Sequence, residues 1–241
     1  MDAGGNYILM RDITITAPYA KDFTGTFNGG GNTITLNITG VSAANVGAFS
    51  VLRSGAVVEN LMTGGTITAP AYNNVGGIAG QASAATADII IRNCKNAAAI
   101  SGKQSVGGIV GYVYGDGNEI IGCANHGSIT GTFEEDTNGY GGIVGWTDNE
   151  ITLKYCYNSA AIHASGDGVG YAGGLIGVGY GTPTIIGCYT SASTEHNNPT
   201  LNPNWAACTG SITSDYAAGD FFGTAGEIGR DLAHNMTYCE T

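Results

Sequence analysis

One hexapeptide pattern occurs four times along the chain. Val75-Gly76-Gly77-Ile78-Ala79-Gly80 is followed by Val106-Gly107-Gly108-Ile109-Val110-Gly111 and Tyr140-Gly141-Gly142-Ile143-Val144-Gly145. The last copy is Ala172-Gly173-Gly174-Leu175-Ile176-Gly177, and Val46-Gly47-Ala48-Phe49-Ser50 is a degenerate earlier one. The leading glycines, Gly47, Gly76, Gly107, Gly141 and Gly173, are 29, 31, 34 and 32 residues apart. A second element follows each copy: Ile90-Ile91-Arg92-Asn93-Cys94, Ile120-Ile121-Gly122-Cys123, Leu153-Lys154-Tyr155-Cys156 and Ile185-Ile186-Gly187-Cys188, with Val57-Val58-Glu59-Asn60-Leu61 in the first place. A third closes the unit: Ala99-Ile100-Ser101-Gly102, Ser128-Ile129-Thr130-Gly131 and Ala161-Ile162-His163-Ala164, matched earlier by Thr66-Ile67-Thr68. Three elements that keep order and spacing define a repeat architecture.

Each unit holds three short β-prone runs separated by Gly, Asn, Asp and Ser turns. Between residues 6 and 190 no stretch carries a capped helical period. Three strands in roughly 30 residues cannot bury their own apolar face, but stacked copies make a continuous core. The sequence therefore predicts an all-β fold, a right-handed parallel β-helix (solenoid) of about five coils. Like positions would stack into columns: Ile78, Ile109, Ile143 and Leu175 as one, Cys94, Cys123, Cys156 and Cys188 as another. Asn96, Asn125 and Asn158 would form a third, at a turn where Asn tolerates left-handed backbone and amides bond up and down the stack.

A solenoid needs capped ends, because an open coil exposes unpaired edge groups. Tyr7-Ile8-Leu9-Met10 and Ile13-Thr14-Ile15-Thr16 read as strands, and Phe23 to Leu36 as an irregular first coil with a Gly-rich turn. After Tyr189 the repeat dissolves into a polar loop, Glu195-His196-Asn197-Asn198-Pro199, then Trp205, Phe221-Phe222 and a short helix near residues 225–235. The expected organisation is a single domain over 1–241: an N-terminal coil or cap at 1–43, repeats at 44–190 and a C-terminal cap at 191–241.

Charged residues make up only 11% of the chain, so its surface is built from Ser, Thr, Asn and Gly. The net charge is −11, with only 8 Lys and Arg to meet phosphate. That balance argues against nucleic-acid binding and adsorption to anionic lipid. No apolar run is long enough to insert in a membrane, and no charged and apolar leader opens the sequence. The chain is thus expected to be either cytosolic or a fragment of a larger exported protein.

The four repeat cysteines recur at coil spacing and read as small buried hydrophobes. None lies in a C-x-x-C pair, so a zinc site lacks its usual signature. Cys208 and Cys239 stand outside the column, and either pair to pin the C-terminal cap or are unrelated thiols. Acids fall mostly in turns: Asp116, Glu119, Glu134-Glu135-Asp136, Asp148, Glu150 and Asp167. Asp116 and Asp148 are the pair that adjacent coils can bring together, as glycoside hydrolysis would need. Against an enzyme stand the scarcity of basic residues and the four histidines, His126, His163, His196 and His234, which occupy different repeat positions without an evident Ser or Cys nucleophile beside them. No catalytic, cofactor-binding or metal-ligating residue is assigned. Gly115-Asp116-Gly117-Asn118-Glu119 and Phe133-Glu134-Glu135-Asp136 offer calcium-type oxygens, but neither follows an EF-hand or nonapeptide pattern. Tyr112, Tyr114, Tyr155, Tyr157, Tyr180 and Tyr189 gather near strand ends, where aromatic rings can stack on sugars.

The Val-Gly-Gly-Ile-Val-Gly element, its Asn-Cys strand and the Asn that follows resemble the GLUG-motif repeats of bacterial surface proteins. Phe23 to Leu36 resembles the segment that often precedes them. The resemblance covers about residues 20–190; the first copy lacks the double Gly and the Cys, and the last 40 residues or so are not recognisable repeat. It implies export within large adhesin-like or protease-associated polypeptides and transfers no catalytic residue. The expected function is a non-catalytic module of an exported bacterial cell-surface protein, binding a surface glycan or protein or serving as a rigid spacer. The alternative is a polysaccharide hydrolase or lyase acting through turn carboxylates.

Overall fold

The computed structural model describes residues 1–132, 138–165, 170–180, 183–190, 194–196 and 212–213. The chain winds as a right-handed parallel β-helix of about five turns. Among the described residues, every strand pairs in parallel with a neighbouring coil. The first face stacks Asn6–Ile8, Thr26–Asn28, Val57–Glu59, Ile90–Arg92, Asn118–Ile121, Ile151–Lys154, Thr184–Ile186 and Ile212–Thr213. The second and widest face includes Thr33–Thr39, Met62–Gly76, Ala99–Gly107, Ile129–Thr132 and Ile162–Ser165. The third and shortest stacks Phe49–Arg53, Ala79–Ser83, Val110–Tyr114, Val144–Thr147 and Ile176–Gly179.

Alternation along each strand sends one residue inward per rung. On the first face Phe27, Val58, Ile91, Ile120, Leu153 and Ile185 are in register and buried. Ile78, Ile109, Ile143 and Leu175 fill the corner between the second and third faces, each wholly buried as expected. Each such side chain contributes about 1.5–3 kcal/mol by leaving water. Toward the N-terminus aromatics replace aliphatics: Phe49 lies 5.1 Å from Phe23 and 5.2 Å from Phe27, ring centre to ring centre.

Corners explain the rest of the motif. Gly77, Gly108 and Gly142 sit where a Cβ would meet backbone oxygen of the next coil and the side chains of Asn96, Asn125 and Asn158 respectively. That close approach, rather than left-handed backbone, requires the second glycine of the pair. Left-handed backbone lies elsewhere, directly after the first-face strands at Asn60, Asn93, Gly122, Tyr155 and Gly187, and before the motif at Asn45, Asn74 and Ser105. The Asn96, Asn125 and Asn158 column was expected at such a turn, and the structure corrects this. Asn96, Asn125 and Asn158 lie in short paired strands with their side chains buried in the interior. The expected amide ladder is present there, and the left-handed geometry belongs to the residue three positions earlier.

The coil continues past Thr190. Thr194–His196, expected in a loop, pairs with Ile162–Ser165, and Ile212–Thr213 pairs with Thr184–Ile186. Parallel backbone pairing needs no Gly-Gly or Cys signature, so rungs persist where the motif has vanished. Trp205, Phe221, Phe222, the helix expected near 225–235, Cys208 and Cys239 lie outside the described residues.

Candidate functional site

Five of the six tyrosines singled out in the sequence fall into two separate groups, and Tyr155 stands exposed at the left-handed corner. On the third face Val51, Gln81, Tyr112, Trp146 and Val178 share one register position through five rungs. Tyr112 and Trp146 are half-buried, whereas Tyr114 and Tyr180 are about half exposed, at 49% and 47%. The rings of Trp146 and Tyr180 pack 5.4 Å apart, tilted 45°, diagonally across adjacent coils. Backbone holds the pair together, since the Tyr180 amide donates to the Thr147 carbonyl at 2.8 Å.

Asp148 ties this group into a unit. Trp146 Nε1–H donates to one carboxylate oxygen at 2.6 Å, and the Tyr112 hydroxyl donates to the other. A carboxylate has about four acceptor positions, so two remain for a ligand. Burial, the hydrogen bond to Asp148 and its negative charge hold the Tyr112 phenol well above the usual tyrosine range. Beside the rings a polar groove of about 550 Å³ is lined by residues 84–88, Tyr114, Gly115, Asp116 and Asn149. Its walls are braced by the Gly115 amide donating to Asn149 Oδ1 at 3.0 Å and the Glu150 amide donating to Asp116 Oδ1 at 3.1 Å. Residues 79–88, 110–117, 144–150 and 176–180 contain no Lys or Arg.

The second group faces outward near the first corner. Tyr157 and Tyr189 stack at 5.1 Å and 5° on successive rungs. His126 bridges Tyr157 Oη at 2.9 Å and Ser159 Oγ at 2.7 Å. The sequence shows no evident Ser or Cys nucleophile partner for a histidine, and the structure places Ser159 against His126. Asn125 pairs with Asn158, so His126 and Ser159 are neighbours across one coil. The Asn column already contained that register, one residue upstream. Chemically the pair is incomplete as a nucleophile system: the second imidazole nitrogen meets a phenol, and Ser159 Oγ donates to the Asn125 carbonyl at 3.4 Å.

The remaining candidates have structural partners. Glu119 pairs with Lys154 at 2.8 Å and Glu59 with Arg92 at 2.6 Å on the first face. Asp116 and Asp148 are brought to adjacent coils, but Asp116 accepts from the Glu150 amide while Asp148 accepts from Tyr112 and Trp146. In the calcium-like segment Asn118 is buried, its amide donating to the Tyr114 and Gly115 carbonyls and its oxygen accepting from Ile89 N–H. Glu134, Glu135, Asp136, Asp167 and His234 lie outside the described residues. His163 pairs in register with Thr130 and Glu195 on the second face, where the strand Thr194–His196 also places His196. Cys94, Cys123, Cys156 and Cys188 are free thiols, fully buried, and burial pushes Cys123 and Cys188 well above the ordinary thiol range.

No family model and no curated protein matches this sequence. Among solved structures, the chain is similar to a proposed immunoglobulin A1 protease of Bacteroides ovatus, at a TM-score of 0.58 and 20% identity. The likeness covers 86% of this chain and spans 64% of that protein's length. At that identity the two share a fold.

Proposed function

We propose that the chain is a non-catalytic β-helical module of an exported bacterial cell-surface protein, and that it acts in adhesion through its third face. The observation that carries this reading is the Trp146–Tyr180 pair with Asp148 bonded to the indole N–H. An aromatic pair held by backbone pairing on a rigid solenoid presents a pre-organised surface, which reduces the entropy lost on binding. The resemblance of the Gly-Gly repeats to GLUG-motif proteins supports a setting on the bacterial surface. Acids near this face spend acceptor positions on the chain itself, and no basic residue stands in the segments that line it.

Retention of the purified chain on immobilised mucin or host glycoprotein tests the reading. Saturable binding supports adhesion, and failure to bind any immobilised partner would leave only a rigid spacer. Cleavage of immunoglobulin A1 by the chain, lost on Ser159→Ala, would overturn the non-catalytic part. Labelling of the protein on intact cells by a membrane-impermeant reagent tests the location.

A further inference from the structure

We propose that the third face is a binding site for a neutral oligosaccharide. One sugar ring would stack on Trp146 and Tyr180, and the adjoining sugar would lie in the polar groove between Tyr114, Asp116 and Asn149. This assignment rests on the binding-module reading above and names its ligand. A pyranose ring offers one face of C–H bonds, weakly positive at hydrogen, which complements the electron-rich face of an indole or phenol. Its hydroxyls need acceptors at the rim, which Asp148 supplies with the two positions that Tyr112 and Trp146 leave unused.

Two features choose the ligand class. The first is charge. Asp88 and Asp116 line the groove and Asp148 is bonded to the Trp146 indole, while residues 79–88, 110–117, 144–150 and 176–180 contain no Lys or Arg. Arg53, at the N-terminal end of the same face, is paired with Asp22 at 2.8 Å. A sulfated or sialylated chain would bring negative charge against the carboxylates of Asp88, Asp116 and Asp148, so acidic glycans are disfavoured. The second is shape. Trp146 and Tyr180 are two rings tilted 45° on adjacent coils, a pair rather than a box. An alkylammonium ion is held best by rings enclosing it from several sides. The C–H face of one sugar can pack on such a pair, and the groove lined by Tyr114 gives a second sugar hydrogen-bond partners.

The test is calorimetric titration of the protein with tetrasaccharides of glucose and of N-acetylglucosamine, beside sialyllactose, chondroitin sulfate and choline chloride. At least one neutral tetrasaccharide should bind saturably. Trp146→Ala and Tyr180→Ala should each weaken it about tenfold, roughly the 1.4 kcal/mol expected of a lost ring contact. Trp146→Phe should recover most of the loss, and Tyr189→Ala, in the other aromatic group, should leave affinity unchanged. Thermal melting of each variant confirms its fold. Acidic glycans binding as tightly as neutral ones, choline binding in their place, or indifference to Trp146→Ala would each overturn the assignment. Mucin treated with periodate separates the two levels of the argument. Retention that survives destruction of the glycans sinks the sugar site and leaves the adhesion module standing, whereas failure to bind every tetrasaccharide and every immobilised partner removes both.

Discussion

The side-chain amide of Asn96 donates to Oδ1 of Asn125 at 2.8 Å, one coil further on, with both residues wholly buried. Asn125 repeats the contact to Asn158 at 2.9 Å, and Thr63 begins the series by donating to Asn96 Oδ1 at 2.9 Å. Each amide also closes a local ring with backbone two residues on, at Ala98, Gly127 and Ala160. A buried amide without partners costs about 1–3 kcal/mol in proteins. The ladder therefore favours the register in which successive coils align.

Asn125→Ala removes the acceptor of Asn96, the donor to Asn158 and the acceptor of the Gly127 amide together. It is expected to destabilise the protein by about 2–4 kcal/mol. Urea unfolding should show a lower midpoint with little change of slope. Asn93→Gly, at the exposed left-handed corner where φ is 53°, should change stability by less than about 0.5 kcal/mol.

Gly108→Ala puts a methyl 2.2 Å from the Gly142 carbonyl and 2.3 Å from Asn125 Cγ. Neither neighbour is the far end of a flexible side chain, so a loss of about 3 kcal/mol is expected. Gly40→Ala meets nothing within 4 Å and carries only the strain of φ +62°, about 1 kcal/mol. Thermal melts of the two variants should separate clearly.

How much of this was legible before the structure depends on which force sets each feature. The coil count, the Ile78-to-Leu175 column and the Cys94-to-Cys188 column follow from spacing alone, because stacking brings like positions into contact. The place of the left-handed corner was misread. Asn satisfies two separate needs here, tolerance of positive φ at Asn93 and a buried hydrogen-bond ladder at Asn96, and the sequence shows only the residue type. The candidate site was half visible. Tyr112, Tyr114 and Tyr180 were marked as ring donors, but Trp146 and the role of Asp148 were not. Joining them requires knowing that positions 112 and 146 share a register while Asp148 turns back toward both rings.

Tyr155 occupies the left-handed corner at φ 54°, in a column otherwise filled by Asn60, Asn93, Gly122 and Gly187. A bulky side chain is strained there by about 1 kcal/mol. Tyr155→Asn is expected to raise the melting temperature by about 2–4 °C, as measured by calorimetry. A lower melting temperature would mean that the ring lying over Gly187 stabilises more than the strain costs.

Tyr112 gives the fold a dependence on alkaline pH. Its folded-state pKa is raised, so stability from the protonated phenol is complete below the unfolded value of about 10. Above that pH the unfolded chain ionises while the folded one holds its proton, and stability falls as pH rises toward the folded value. Urea midpoints at pH 8 and pH 11 should differ more in the parent protein than in Tyr112→Phe.

The chain has two tryptophans, so Trp205→Phe leaves Trp146 as the sole indole. Titrating that variant with a neutral tetrasaccharide that binds, while following indole emission, tests the third-face site most directly. A saturable change with the calorimetric midpoint, shifted to about tenfold higher sugar concentration in Tyr180→Ala, is the predicted result. Full calorimetric binding with Trp146 emission unmoved would contradict it.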